Sequence, residues 1–265
     1  MFVASLSHSG STLLDLMLGA HPDIISAGEL KQLGRYARFE KPQHKLRCSC
    51  GVDTIFRCEF WNQVNSFTQN RIGKTLDMLN VETYADAASF HHDNVALFDA
   101  IATVSARRFI VDSSKSTSRL LRLLENPATD LFPIFLLRDP RGQICSSLRK
   151  DGRLIRLIWD NVRTNREIYA LVRHGPHAVV HYEALVRHPQ QTLAGLMNAV
   201  GLSFDLSQLD WAAPVRHNVA GNGMRRGTSS NLKLDDKWRH LLTPMQKLAI
   251  SIGTVPGRFP YLEWA

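Results

Sequence analysis

Short apolar and β-branched runs recur along the chain, each followed by a polar turn and then by a stretch whose apolar positions fall three or four residues apart. The runs predict strands near 2–6, 108–112, 132–137 and 178–182. The stretches predict helices near 11–20, 74–106, 116–126, 140–150, 155–174, 189–200 and 244–252, with Pro127, Gly175-Pro176 and Pro214 punctuating the connections. Strand, turn and helix in alternation predict an α/β fold of three layers, a central parallel sheet flanked by helices. No internal repeat or low-complexity tract interrupts it, so residues 1–265 are expected to form one domain, with an irregular, cysteine-containing insertion at about 31–73.

The first strand runs into Ser7-His8-Ser9-Gly10-Ser11-Thr12, and the next residues, Leu13, Leu14, Met17 and Leu18, mark the inner face of a helix. Gly10 permits a tight turn. Ser9, Ser11 and Thr12 set hydroxyls beside the unpaired N–H groups of the helix start, an arrangement that suits an anion. A nucleotide triphosphatase would follow a Gly-spaced loop with Lys-Ser/Thr to hold β/γ-phosphates and Mg²⁺, and this loop has neither that lysine nor that spacing.

Two further segments suit phosphate. The run 132–137 ends in Arg138-Asp139-Pro140-Arg141, and Ser146 follows two helical turns after Arg138. An arginine at the carboxyl end of a buried strand presents its planar fork to the crevice, and the serine adds a hydroxyl to the same anion. The plainer reading is a helix cap with a surface ion pair through Asp139 or Arg141. Far downstream, Gly221-Asn222-Gly223-Met224-Arg225-Arg226-Gly227 combines flexible glycines with paired arginines, and Asp236-Lys237-Trp238-Arg239 follows. This segment suits a loop that orders over a phosphate, or else a solvated basic surface.

These three elements, in this order, resemble the PAPS-dependent sulfotransferases, and the resemblance spans nearly the whole chain. It implies a P-loop-like fold and a 5′-phosphosulfate loop at Ser9, Gly10, Ser11 and Thr12, with His8 standing where the family commonly has Lys or Arg. It also implies a 3′-phosphate site at Arg138 and Ser146 with the Arg225, Arg226 and Gly227 segment. Lys115, after the run Phe109-Ile110-Val111-Asp112, resembles the lysine that steadies the transferring sulfuryl group. Tyr182 resembles a tyrosine that approaches the adenine. The tryptophan many cytosolic members place after the phosphate loop is replaced here by Leu13 and Leu14.

Such chemistry needs a base for the acceptor's proton and positive charge where the leaving phosphate develops. Aligned without gaps from Ser9, Glu29 falls on the catalytic glutamate of tyrosylprotein sulfotransferases, whose Ser-Gly-Thr-Thr-Leu and Ala-His-Pro residues are matched by 9–13 and 20–22. The implied function is transfer of a sulfuryl group from PAPS to an acceptor hydroxyl or amine, with Glu29 as base, Lys115 and His8 beside it, adenosine 3′,5′-bisphosphate as product and no metal required. The rivals are a silent bisphosphate-nucleotide binder and an ATP-dependent phosphotransferase. The glutamate favours a tyrosyl peptide or sugar hydroxyl as acceptor over a phenolic small molecule. Tyr36, Phe39, His91, His92, Trp159 and Arg163 are candidates for its cleft.

Net charge of +8 and a pI near 9.6 point to polyanions, and because the arginines are scattered among apolar helices, a phosphorylated nucleotide is expected and nucleic acid is not. No apolar stretch approaches a membrane span, and the strand beginning at Phe2 leads us to expect no signal peptide and a cytoplasmic location. In the irregular insertion, Cys48, Cys50 and Cys58 with His44 nearby leave three readings open: a zinc site, a disulfide, or free thiols. Cys145 reads as a buried helix residue.

Overall fold

The computed structural model describes residues 1–82 and 84–258. Its centre is a parallel sheet of five strands, β1 (Phe2–Ala4), β2 (Ile24–Gly28), β3 (Phe109–Asp112), β4 (Pro133–Leu137) and β5 (Ala178–His181), in the order β2-β3-β1-β4-β5. Between β1 and β2 runs α1 (Ser11–Leu18); α2 (Leu33–Ala37), α3 (Glu59–Ile72) and α4 (Ala87–Ser105) lie between β2 and β3. The chain continues through α5 (Thr117–Leu124) to β4, and through α6 (Pro140–Asp151) and α7 (Leu154–Val172) to β5. After β5 come α8 (Tyr182–Arg187), α9 (Pro189–Ala199), α10 (Trp238–Leu241), α11 (Pro244–Gly253) and α12 (Val255–Arg258).

Strand alternation divides the core. Val3, Ile134, Leu136 and Val180 pack with Leu14, Met17 and Leu18 of α1 and with Leu185 and Leu193 of α8 and α9. Phe2, Ala4 and Phe135 turn to the other face, against Phe90, Leu120, Leu123 and Ile168 of α4, α5 and α7. Burial on both faces explains why these strands read as continuous apolar runs. The α/β expectation is met, and no helix among the described residues is long and apolar enough to cross a membrane.

Three departures from the sequence reading are physical. Ile24–Gly28, not expected as a strand, pairs with β3 from Ile24–Phe109 to Ser26–Val111; its second half is built of Ser, Ala and Gly, which carry little strand signal. The helix expected from 74 begins at Ala87, because the Asp86 carboxylate accepts from Ser89 N–H and caps it there. Residues 74–80 instead wrap Asp93, which accepts from Lys74 Nζ at 2.9 Å and Asn80 N–H at 2.7 Å. The irregular insertion contains α3, whose buried Phe60, Trp61, Val64 and Thr68 keep helical spacing.

Two buried polar clusters fix what the strand ends present. At the end of β3, Asp112 Oδ2 accepts from Arg119 Nε at 2.7 Å, and the same guanidinium donates to Val81 O at 3.0 Å and Asn94 Oδ1 at 2.8 Å. Asp112 Oδ1 accepts from Ser114 N–H at 3.0 Å, from the Ser114 hydroxyl and from Leu30 N–H at 3.3 Å. Under β2, Asp15 Oδ2 accepts from Ser26 Oγ at 2.6 Å and Asn218 Nδ2 at 2.8 Å. Burial pushes the Asp15 carboxyl up to about 7, against the Ser26 hydroxyl bond, which favours the carboxylate.

Arg119 is fully buried, so Arg119→Met leaves Asp112 without its counter-charge and is expected to cost about 3–5 kcal/mol in urea unfolding. The Asp15 pKa is raised on folding, so the folded chain keeps a proton that the unfolded chain has lost. Its contribution to stability is therefore intact below about pH 4 and declines as pH rises towards about 7. Unfolding midpoints across that range are expected to fall with pH in the native sequence and to flatten in Asp15→Asn.

Candidate functional site

The carboxyl ends of the strands open on one cleft of about 760 Å³, lined by residues that include His8, Gly10, Ser11, Thr12, Glu29, Lys115, Arg138, Ser146 and Tyr182. It lies where a parallel sheet of this type binds ligands, because the chain leaves β1 towards β2 on one side while β4 flanks β1 on the other.

The loop after β1 forms its floor. Gly10 sits at φ +90° as the residue before α1, a conformation natural to glycine, and a Cβ there would strike the Tyr182 ring. The first intrahelical bond is Leu14 N–H to Gly10 O at 3.1 Å, so the N–H groups of 11–13 precede the ladder and belong to the helix's positive end. The Gly221–Asn222 turn meets this loop through Asn222 N–H to Thr12 Oγ1 at 3.3 Å. From the other side, Arg138 Nη1 donates to His8 O at 2.7 Å and Gln143 Nε2 to Ser7 O at 3.0 Å. His8 is thereby held at φ +66°.

Glu29 and Lys115 emerge from β2 and β3, and Lys115 Nζ donates to Glu29 Oε1 at 2.5 Å and to Ser113 O at 3.3 Å. Their backbones are fixed from behind. Glu29 N–H donates to Val219 O at 2.8 Å and Val219 N–H to Ala27 O at 3.1 Å, so the segment around Val219 pairs with the end of β2 at Gly28. Gly28, at φ +76°, leaves no room for a Cβ against the Val219 backbone. Lys115 stands at φ +62° in the turn organised by Asp112.

At the end of β4, the Arg138 guanidinium lies over the Tyr182 ring with its carbon 4.7 Å from the ring centre. Its Nη2 donates to the Asp235 main-chain oxygen at 2.9 Å and to Asp235 Oδ2 at 3.0 Å. Tyr182 Oη accepts from Asp235 N–H at 3.3 Å, and burial raises the Tyr182 pKa. Ser146 Oγ donates to Gly142 O at 3.0 Å and lines the cleft, opening on a recess of about 50 Å³ shared with Arg149 and Lys237. The capping ion pair weighed from the sequence belongs to Arg141, which grips Asp139 at 2.6 Å; Arg138 faces the cleft.

The structure thus brings together His8, Gly10, Ser11, Thr12, Glu29, Lys115, Arg138, Ser146 and Tyr182 at one cleft. Ser9 is buried in the same loop. It does not bring the arginine pair there. Arg225 is buried, donating to Asn218 O at 2.7 Å and Arg47 O at 2.9 Å, because its guanidinium closes the turn against the cysteine-bearing segment. Arg226 is exposed, and neither arginine nor Gly227 lines the cleft, whereas Gly221, Asn222 and Met224 do. Lys233, Asp235 and Trp211 line it without having been singled out. Among the acceptor-cleft candidates, Tyr36 is buried, His91 Nε2 donates to Arg122 O, His92 meets Asp93, Arg163 pairs with Glu167, and Phe39 and Trp159 are exposed elsewhere; none lines this cleft.

A family model described as Sulfotransferase family matches residues 1–206. No curated protein matches the chain. Among solved structures, the sulfotransferase domain of the Synechococcus PCC 7002 olefin synthase superposes with a TM-score of 0.63 at 22% identity, covering 98% of this chain and 94% of that one. The sulfotransferase domain from the curacin biosynthetic pathway gives 0.56 at 19% identity, with 95% and 96% covered. The structural likeness establishes the shared fold. The family match, which takes in β1 to β5 and every strand-end residue of the cleft, places this chain in the sulfotransferase family.

Proposed function

We propose that this protein moves a sulfuryl group from PAPS to an acceptor hydroxyl, or an amine, by in-line transfer. The observation that carries the proposal is the 2.5 Å contact between Glu29 and Lys115 beside the anion loop, a carboxylate and an ammonium brought to one cleft from two neighbouring strand ends. In this reading the acceptor O–H gives its proton to Glu29 as the new O–S bond forms. The bond from sulfur to the bridging oxygen of the 5′-phosphate breaks, and adenosine 3′,5′-bisphosphate leaves. Negative charge grows on that bridging oxygen and on the sulfuryl oxygens. The N–H groups opening α1, with His8 and Lys115, are the donors proposed for it.

The 3′-phosphate is assigned to Arg138 and Ser146, with Lys237 in the adjoining recess. Arg138 Nη2 now serves Asp235, so a phosphate dianion and the Asp235 carboxylate compete for one fork. The adenine is assigned to Tyr182, with Leu13, Leu232 and Trp211, whose buried indole N–H has no acceptor among the described residues. The acceptor class expected from the glutamate, a tyrosyl peptide or sugar hydroxyl, is retained as part of the proposal.

Calorimetric titration tests the donor assignment. Adenosine 3′,5′-bisphosphate is expected to bind far more tightly than AMP or ATP, and Arg138→Ala to lose about 2–5 kcal/mol of bisphosphate binding. Equal affinity for AMP would remove the 3′-phosphate from Arg138.

Turnover of PAPS against a panel of tyrosyl peptides and sugars tests the chemistry. Glu29→Gln is expected to lower it by roughly 10²–10⁴-fold while bisphosphate affinity changes only a few-fold. A near-native rate in Glu29→Gln would transfer the base role to His8.

A further inference from the structure

Away from the cleft, three cysteines and a histidine from distant parts of the chain point at a common centre. We propose that Cys48, Cys50, Cys58 and His217 bind one zinc ion in a closed tetrahedral site.

One donor atom from each residue lies within 4.8 Å of all the others. Cys48 Sγ is 3.7 Å from Cys58 Sγ, and Cys58 Sγ is 3.1 Å from His217 Nδ1. In tetrahedral zinc with Zn–S near 2.3 Å and Zn–N near 2.0 Å, sulfur–sulfur edges come to about 3.8 Å and sulfur–nitrogen edges to about 3.5 Å. The donors therefore need shifts of only a few tenths of an ångström along these two edges. The sequence paired the cysteines with His44; the structure supplies His217, 159 residues beyond Cys58.

Local backbone accounts for the convergence. Gly51, at φ +102°, turns the chain so that its N–H donates to Cys48 O at 3.1 Å and Cys48 N–H donates to Val52 O at 3.1 Å. That tight turn makes the close Cys-x-Cys spacing usable. The His217 ring stacks on Phe60 at 5.1 Å with planes 17° apart, and the His217 carbonyl accepts from Trp61 Nε1 at 2.6 Å, which together set the direction of Nδ1. Cys48 and Cys58 are buried in a cluster with Leu46, Ile55 and Trp61. Cys50 and His217 are half-buried beside them, and a set of three sulfurs and one imidazole that fills all four positions is that of a structural zinc. Binding releases the three thiol protons to solvent and leaves the imidazole neutral, giving a site of charge −1. A Cys48–Cys58 disulfide would use two of these groups and leave Cys50 and His217 converging without a role.

The site would also act at a distance. His217 adjoins Asn218 and Val219, which hold Asp15, Ser26 and the N–H of Glu29. Zinc would tie that segment to the 46–58 loop and so steady Glu29 without touching it.

The test is metal analysis of the full chain purified in reducing buffer without chelator. About one zinc per chain is expected, replaceable by Co²⁺ with the strong visible d–d bands of a tetrahedral centre and thiolate-to-cobalt charge transfer. Cys58→Ser and His217→Ala are expected to lose most of the metal and to melt earlier. Because those variants risk misfolding, the cobalt spectrum of the unaltered protein decides independently. Reduced protein that takes up less than about a tenth of an equivalent of Zn²⁺ or Co²⁺ would overturn the proposal. So would an octahedral cobalt spectrum, undiminished metal in a folded Cys58→Ser/His217→Ala double variant, or a Cys48–Cys58 disulfide found by mass spectrometry of freshly isolated protein.

Discussion

Asp112 stands at the end of the strand next to the sheet's centre, and both of its carboxylate oxygens are committed. One meets the wholly buried Arg119; the other gathers the N–H and hydroxyl of Ser114 and the N–H of Leu30. Ser114 immediately precedes Lys115, and Leu30 immediately follows Glu29. A single buried carboxylate thus sets the backbone on which both Glu29 and Lys115 ride. Arg119 in turn reaches Val81 and Asn94, so the long β2–β3 connection is packed onto the same ion pair. A pair this deeply buried adds little net stability over an apolar substitute, but it defines one geometry, since each donor in it would be left unsatisfied in any other.

A second constraint comes from the other side of Glu29. The segment 217–220 pairs with the end of β2, its Asn218 joins Asp15 and Ser26, and its carbonyl at 218 accepts from buried Arg225. Arg225 therefore acts on the site through the backbone. Its burial also lowers its pKa, and main-chain oxygens, being dipoles, only partly offset that loss of hydration. Glu29 is clamped between Asp112, acting through Leu30, and Val219, acting on its own N–H.

The legible parts of this arrangement were those written locally. Phe109–Asp112 and Pro133–Leu137 announced themselves as buried strands, and the residues just past their ends, Lys115 and Arg138, inherited their placement from the parallel-sheet rule. His8 to Thr12 were legible for the same reason. The 31–58 and 201–243 stretches were not, because their residues are fixed by partners far along the chain and carry no periodic signal. Arg225 looked like a phosphate ligand from its glycine-rich setting, yet its partners are the carbonyls of Arg47 and Asn218. Asp235 carried no motif at all, and it holds the guanidinium on which the donor assignment rests.

That last contact shapes how an anion would enter. Arg138 already has a main-chain acceptor at His8 and a carboxylate at Asp235, and it stacks on Tyr182. An incoming 3′-phosphate cannot share Nη2 with Asp235 without like-charge repulsion, so under the proposed reading it must either displace the Asp235 side chain or bring that carboxylate into contact with a neighbouring cation. Asp235 N–H is bonded to Tyr182 Oη and its main-chain oxygen to Arg138, which anchors the backbone while the carboxylate rotates. Lys233 and Lys237, both exposed at the cleft, flank it in sequence and are placed to receive the charge. The carboxylate then preserves the direction of the Arg138 fork before binding and lowers net affinity by the cost of its own displacement, which favours a dianionic phosphate over a singly charged ligand.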